Sequence, residues 1–109
     1  MIRIAIADDH PIVREGLRRI VTDDAGISVV GEAGTGTELK ALLRQAPVDL
    51  VLLDISMPES TLPEMLQHIR EQHVGTRVLV LSVHPEDQWA VRALRAGASG
   101  YLTKDHSPD

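Results

Sequence analysis

Short apolar runs alternate along this chain with stretches whose apolar positions recur at helical spacing. Five runs rich in Ile, Val and Leu read as strands: Ile2–Ala7, Ile27–Val30, Leu50–Leu53, Val78–Leu81 and the stub Tyr101–Leu102. They are apolar throughout rather than alternating, which signals burial on both faces and hence a parallel sheet. Between them lie four segments of helical periodicity. Ile12, Val13, Leu17, Ile20 and Val21 form the first, with Pro11 suited to its first turn. Leu39, Leu42 and Leu43 share a face after Thr37, a candidate N-cap, and Leu66 and Ile69 follow Pro63. Ala90, Val91, Leu94 and Ala98 follow Pro85, with Gly97 and Gly100 as stops. The repeated strand–helix unit predicts a doubly wound α/β domain with right-handed crossovers.

The end of the chain changes one part of that picture. Ser107 and Pro108 stand as N-cap and first-turn residues of a helix that does not follow. The sequence 1–109 therefore reads as one C-terminally truncated domain, cut where a fifth helix and a second domain should begin.

Composition narrows the partners. The chain has 109 residues, net charge -5, no Cys, no Phe, and Trp89 and Tyr101 as its aromatics. Aliphatic side chains must fill the core. The acidic balance argues against a domain held to nucleic acid by phosphate neutralisation. Absence of Cys excludes disulfides and thiolate metal sites. The N-terminus carries no apolar signal-peptide core and no window spans a membrane, so the expected location is the cytoplasm. Trp89 reads as a packing or partner-surface residue.

Candidate chemistry collects at the carboxyl ends of the strands, where open parallel sheets place their sites. Asp8 and Asp9 follow the first run, Asp54 the third and Ser82 the fourth, while Lys104 comes just after the last. Taken singly, these residues are ordinary: helix-start acids, a turn Asp, a loop hydroxyl, a solvated lysine. Taken together, each stands at the same end of a different strand. Carboxylates so placed repel unless they share a cation. An oxygen-only donor set suits Mg²⁺. The metal would quiet repulsion at Asp54 and leave an oxygen able to attack phosphorus, and Lys104 would neutralise a phosphoryl oxygen. The five histidines (positions 10, 68, 73, 84 and 106) lack metal-site spacing, and His10, although expected near the rim, is not read as a ligand. "GEAGTG", Gly31 to Gly36, follows the second strand and has Leu39 where a dinucleotide fingerprint needs glycine, so it reads as a flexible connection.

"IAIADDHPIVREGL", "DLVLLDISMP", "VLVLSVH" and "RAGASGYLTKD" resemble the receiver domain of bacterial two-component response regulators, nearest the NarL/LuxR subfamily. The resemblance covers essentially the whole chain. It implies a flavodoxin-like five-stranded sheet of order 2-1-3-4-5, here without its last helix. Asp54 would be the phosphoacceptor for a histidine kinase, Asp9 a direct Mg²⁺ ligand, Asp8 its partner acting through water, and the backbone carbonyl of Ser56 a further ligand. Ser82 and Lys104 would act at the phosphoryl group, Ser82 and Tyr101 as the switch pair, and Ser56 and His84 as positions that tune phosphoryl lifetime. The domain would be a regulatory phosphoacceptor rather than an enzyme, homodimeric, and tied to DNA only through an output domain.

One stretch departs from the family. Where a G-x-x-G loop is usual, this sequence has Glu59 and Leu62, followed by Pro63. Positive φ at Leu62 would be strained, which bears on loop shape beside Asp54. A rival reading is a constitutive, phosphorylation-independent interaction module of the same fold. A hydrolase working through an aspartyl phosphate would want an acid two residues past the nucleophile, where Ser56 stands.

Overall fold

The computed structural model describes residues 1–54, 58–59, 61–82 and 100–103, with side chains omitted at 82 and 100–103. The fourth helical segment, Trp89 and everything after residue 103 lie outside the described residues. Eight elements follow in the order β1 (Ile2–Ala7), α1 (Pro11–Thr22), β2 (Ile27–Ala33), α2 (Gly36–Gln45), β3 (Leu50–Asp54), α3 (Leu62–Gln72), β4 (Arg77–Ser82) and β5 (Gly100–Thr103). The strands form one five-stranded sheet of order β2-β1-β3-β4-β5, and every pairing is parallel. This is the doubly wound arrangement expected from the alternation of apolar runs.

Because successive strand residues point to opposite faces, the core divides in two. Ala5, Ala7, Val51, Leu53, Val78 and Val80 point toward Leu39 and Leu43 of α2 and Met65, Leu66 and Ile69 of α3. Ile4, Ile6, Leu52 and Leu81 point the other way, against Leu17 and Val21 of α1. The first face is the drier one: α2 and α3 each bury three residues, whereas α1 buries none. Ile12 and Ile20, expected on the packed face of α1, are 84% and 66% exposed. Leu17 and Val21, four apart, supply the stripe that faces the sheet, and Ile12 and Ile20 fall on the neighbouring stripe.

Local chemistry moves three boundaries. Strand β2 runs on through Gly31 to Ala33, so the first half of the connection expected to be flexible is sheet. A bulge at Val30 shifts the register against β1 between Ile4 and Ala5. A Cβ at Gly31 would come within 2.7 Å of Leu42 Cδ1; glycine there leaves room for the Leu42 side chain of α2. Helix α2 starts at Gly36, and its cap is Thr35 rather than Thr37: Glu38 N donates to Thr35 Oγ1 at 3.1 Å, while Glu38 Oε1 accepts from Gly34 N at 2.7 Å. In α3, Leu62 is the first helical residue behind the cap Thr61, so it takes no positive φ. The left-handed conformation falls instead on Glu59, at φ 67°.

Among the described residues, no helix is long and apolar enough to cross a membrane. At the amino ends of the strands, Asp49 is clasped by Arg3, whose backbone N and Nε lie 2.7 and 3.1 Å from Asp49 Oδ2. That contact holds the Asp49 carboxyl below its usual range.

Candidate functional site

At the opposite rim, β1 and β3 deliver carboxylates side by side. Their register pairs Ala7 with Leu53, so the next step along each strand places Asp8 beside Asp54. Asp8 N donates to Ala33 O at 2.9 Å, which fixes the end of β1 to the end of β2. Both side chains are withdrawn from water, Asp8 at 0% and Asp54 at 2% exposure. Asp9, one residue on, is a partly exposed neighbour at 34%.

His10 completes the cluster. Its backbone N donates to Asp8 Oδ1 at 2.8 Å, and its ring Nδ1 lies 2.9 Å from both Asp8 Oδ1 and Asp9 Oδ1. Candidate donor atoms of Asp8, Asp9, His10 and Asp54 all fall within 4.8 Å of one another. Two buried carboxylates with a third at this range are costly to keep charged without a shared cation. The oxygen donors and their spacing fit a small hard divalent ion such as Mg²⁺.

Arg14 braces the rim from α1. Its Nη1 donates to the Asp8 carbonyl at 2.5 Å, and its Nε pairs with Glu32 Oε1 at 3.3 Å. Arg18 joins the same carboxylate, with Nη1 at 2.6 Å from Glu32 Oε2. The loop beyond Asp54 is tied at Pro58, whose carbonyl accepts from Gly36 N at 2.9 Å.

Of the residues singled out from the sequence, Asp8, Asp9 and Asp54 are brought together. Ser82 ends β4, one step past Leu81, the register partner of Asp54; Tyr101 lies on β5 opposite Val80. The backbone thus puts Ser82 at the acidic rim, while its side chain and that of Tyr101 are outside what the structure describes. Ser56, His84 and Lys104 lie outside the described residues. Reasoning from sequence passed over Arg14 and assigned His10 no role. A signal for Arg14 was present: it stands one helical turn after His10, and Arg14 N donates to His10 O at 3.0 Å.

Residues 4–109 match the family model described as response regulator receiver domain. The chain is 40% identical over 108 residues to the response regulator UvrY of Escherichia coli K12, covering 99% of this chain and 50% of that protein. It is 39% identical over 106 residues to the nitrate/nitrite response regulator protein NarL of the same strain, covering 97% of this chain and 49% of that protein. The chain thus spans about half the length of the curated relatives it matches. Among solved structures, the signal receiver domain of a response regulator NarL from Mycobacterium tuberculosis superposes with a TM-score of 0.90 at 36% identity. That match covers 97% of this chain and 86% of the other.

Proposed function

The chain belongs to the response regulator receiver domain family, and from that premise we propose that Asp54 is the phosphoacceptor of a two-component pathway. The observation that carries this reading is the convergence of Asp8, Asp9 and Asp54 at one sheet rim, with Asp8 and Asp54 buried. Burial withdraws the Asp54 carboxylate from bulk water, and the end of β3 fixes its direction.

In the reaction, an Asp54 carboxylate oxygen attacks the phosphorus of a phosphohistidine on a partner kinase. The P–N bond breaks as the P–O bond forms, the imidazole of the donor takes up a proton, and Asp54 carries an acyl phosphate. Asp8, Asp9 and Asp54, with the carbonyl of Ser56, would hold a Mg²⁺ ion, which supplies positive charge against the phosphoryl oxygens. Lys104 would neutralise one phosphoryl oxygen, and Ser82 would donate its hydroxyl to another. The sequence step from Thr103, register partner of Ser82, to Lys104 supports this assignment.

Phosphorylation then biases a two-state element, with Ser82 drawn toward the phosphoryl group and Tyr101 turning inward. The domain is a regulator rather than a turnover enzyme. Its partners on this reading are a cognate histidine kinase, a second copy of the chain, and DNA reached through an output domain, in the cytoplasm. Similarity to UvrY and NarL, proteins about twice as long, supports the output role.

The test is incubation with a small phosphodonor and Mg²⁺, followed by intact mass. One added phosphoryl group on the chain, lost in Asp54→Asn, is expected. No gain under saturating donor would overturn the assignment.

A further inference from the structure

Resting on the phosphoacceptor reading above, we infer that Arg14 is a positioning residue for the Mg²⁺ site: through the Asp8 peptide it sets where the Asp8 carboxylate stands. The inference starts where the sheet releases β1. Ladder pairing of β1 ends at Ala7, which faces Ala33 on one side and Leu53 on the other. Asp8 lies one residue beyond and is fully buried, so its peptide groups need partners outside the regular ladder. Its N–H donates to Ala33 O at 2.9 Å, and its carbonyl accepts from Arg14 Nη1 at 2.5 Å. The carboxylate is held in turn, with Oδ1 accepting from His10 N at 2.8 Å. Bonds from β2, from α1 and from the cap of α1 thus fix a residue that the strand alone would leave at a loose end.

Arg14 sits where α1 can supply its share. Pro11 opens the helix, and Arg14 N closes the first turn onto His10 O at 3.0 Å. Side chains on a helix lean toward its N-terminus, which carries the guanidinium back over the end of β1. There the side chain is 22% exposed, and β2 orients it from the other side, with Nε 3.3 Å from Glu32 Oε1. A Cβ at Gly34 would come within 3.1 Å of Arg14 Nη1, so the glycine keeps that place open. One planar group therefore bridges a carboxylate on β2 and a carbonyl past β1 in fixed relative directions. The fork of arginine does this and a single ammonium does not.

Arg18 differs in one respect. Its Nη1 lies 2.6 Å from Glu32 Oε2, so it shares the ion pair, but among the described residues the Asp8 peptide is left to Arg14. Groups that orient metal ligands in this way typically contribute roughly 10–100-fold to metal affinity.

The chain and its Arg14→Gln, Arg14→Lys and Arg18→Gln variants would be titrated with Mg²⁺ by calorimetry without phosphodonor. Each would then be labelled with a small phosphodonor across a series of Mg²⁺ concentrations. Both Arg14 variants should bind Mg²⁺ at least about ten-fold more weakly than the parent. Their labelling should need correspondingly more Mg²⁺ to reach half its maximal rate, while the rate at saturating Mg²⁺ stays within about three-fold. Arg18→Gln should stay within about three-fold of the parent in both measurements. Should Arg14→Gln not fold, Arg14→Lys, which keeps the charge, carries the same expectation. Unchanged Mg²⁺ affinity in the Arg14 variants, or equal weakening in Arg18→Gln, would overturn the positioning role, whatever stability is lost. Full affinity in Arg14→Lys would overturn it too, since charge alone would then suffice. These outcomes leave the phosphoacceptor reading in place; a parent that takes up neither Mg²⁺ nor a phosphoryl group would overturn that reading itself. Denaturant midpoints without Mg²⁺ confirm that the comparison is between folded proteins.

Discussion

Glu59→Gly should stabilise the domain, because Glu59 holds a backbone conformation that its Cβ opposes. Its φ is 67°, in the left-handed region that costs a non-glycine residue roughly 1–2 kcal/mol. Glycine removes that cost but returns roughly 0.5–1 kcal/mol through the greater freedom of the unfolded chain. The net expectation is a gain of about 0–1.5 kcal/mol, centred on roughly 0.75. For a domain of this size the centre of that range raises the melting midpoint by roughly 3–6 °C. Substitution also deletes an exposed carboxylate near the acidic rim, and Glu59→Ala separates the two effects: it removes the same charge and keeps the Cβ. Chemical denaturation of all three proteins, at matched pH and without divalent cation, gives the midpoints and slopes. Glu59→Ala should stay within about 0.5 kcal/mol of the parent while Glu59→Gly rises, at unchanged slope. If the two variants move together, charge rather than backbone strain is responsible and the reasoning fails.

Leu39 is fully buried between α2 and the sheet, so Leu39→Ala should cost about 2–5 kcal/mol in denaturant unfolding. Thr35→Ala removes the acceptor for Glu38 N and should cost about 1 kcal/mol, where Thr37→Ala, at a position that does not cap the helix, should cost less. His68 is held below its ordinary 6.5 first by burial and then by Lys40, His73 and Arg44. The unfolded chain therefore takes up the proton first: stability is full above pH 6.5 and falls as pH drops below it. A His68→Leu variant should lose less stability than the parent between neutral pH and about pH 5, measured as paired midpoints; parallel slopes would count against the burial argument.

The sheet was legible because its central strands β1, β3 and β4 are buried on two faces and so are written as apolar runs; all five observed strands contain the runs read from sequence. Helix α1 was legible as an element but not in its facing. Ile12 and Ile20 satisfy helical periodicity as well as Leu17 does, and only the direction of approach to β1 decides which stripe is covered. Thr35 lost to Thr37 in the reading of α2, although Thr35 with Glu38 three residues on forms the pattern of a capping box. The glycines of "GEAGTG" suggested a loose link, yet Gly31 serves close packing against Leu42 within a strand. At the site, Asp8, Asp9 and Asp54 were readable because strand ends in a parallel sheet share a rim. His10 was expected near the same rim, but its contacts were not, because histidine pairs were sought by spacing along the chain, whereas this ring meets carboxylates on its own two preceding residues. Which loop residue carries positive φ was likewise hidden, since it depends on where α3 begins.

The bond from Gly36 N to Pro58 O links the segment after Asp54 to the head of a helix on the drier face. Gly36 is itself buried, so water has no ready route to replace that carbonyl. Rearrangement around Asp54 that shifts Pro58 must therefore either drag the first turn of α2 along or strand an amide in the interior. Mechanical slack around Asp54 is thereby converted into displacement at a second location, a lever whose fulcrum is one peptide group.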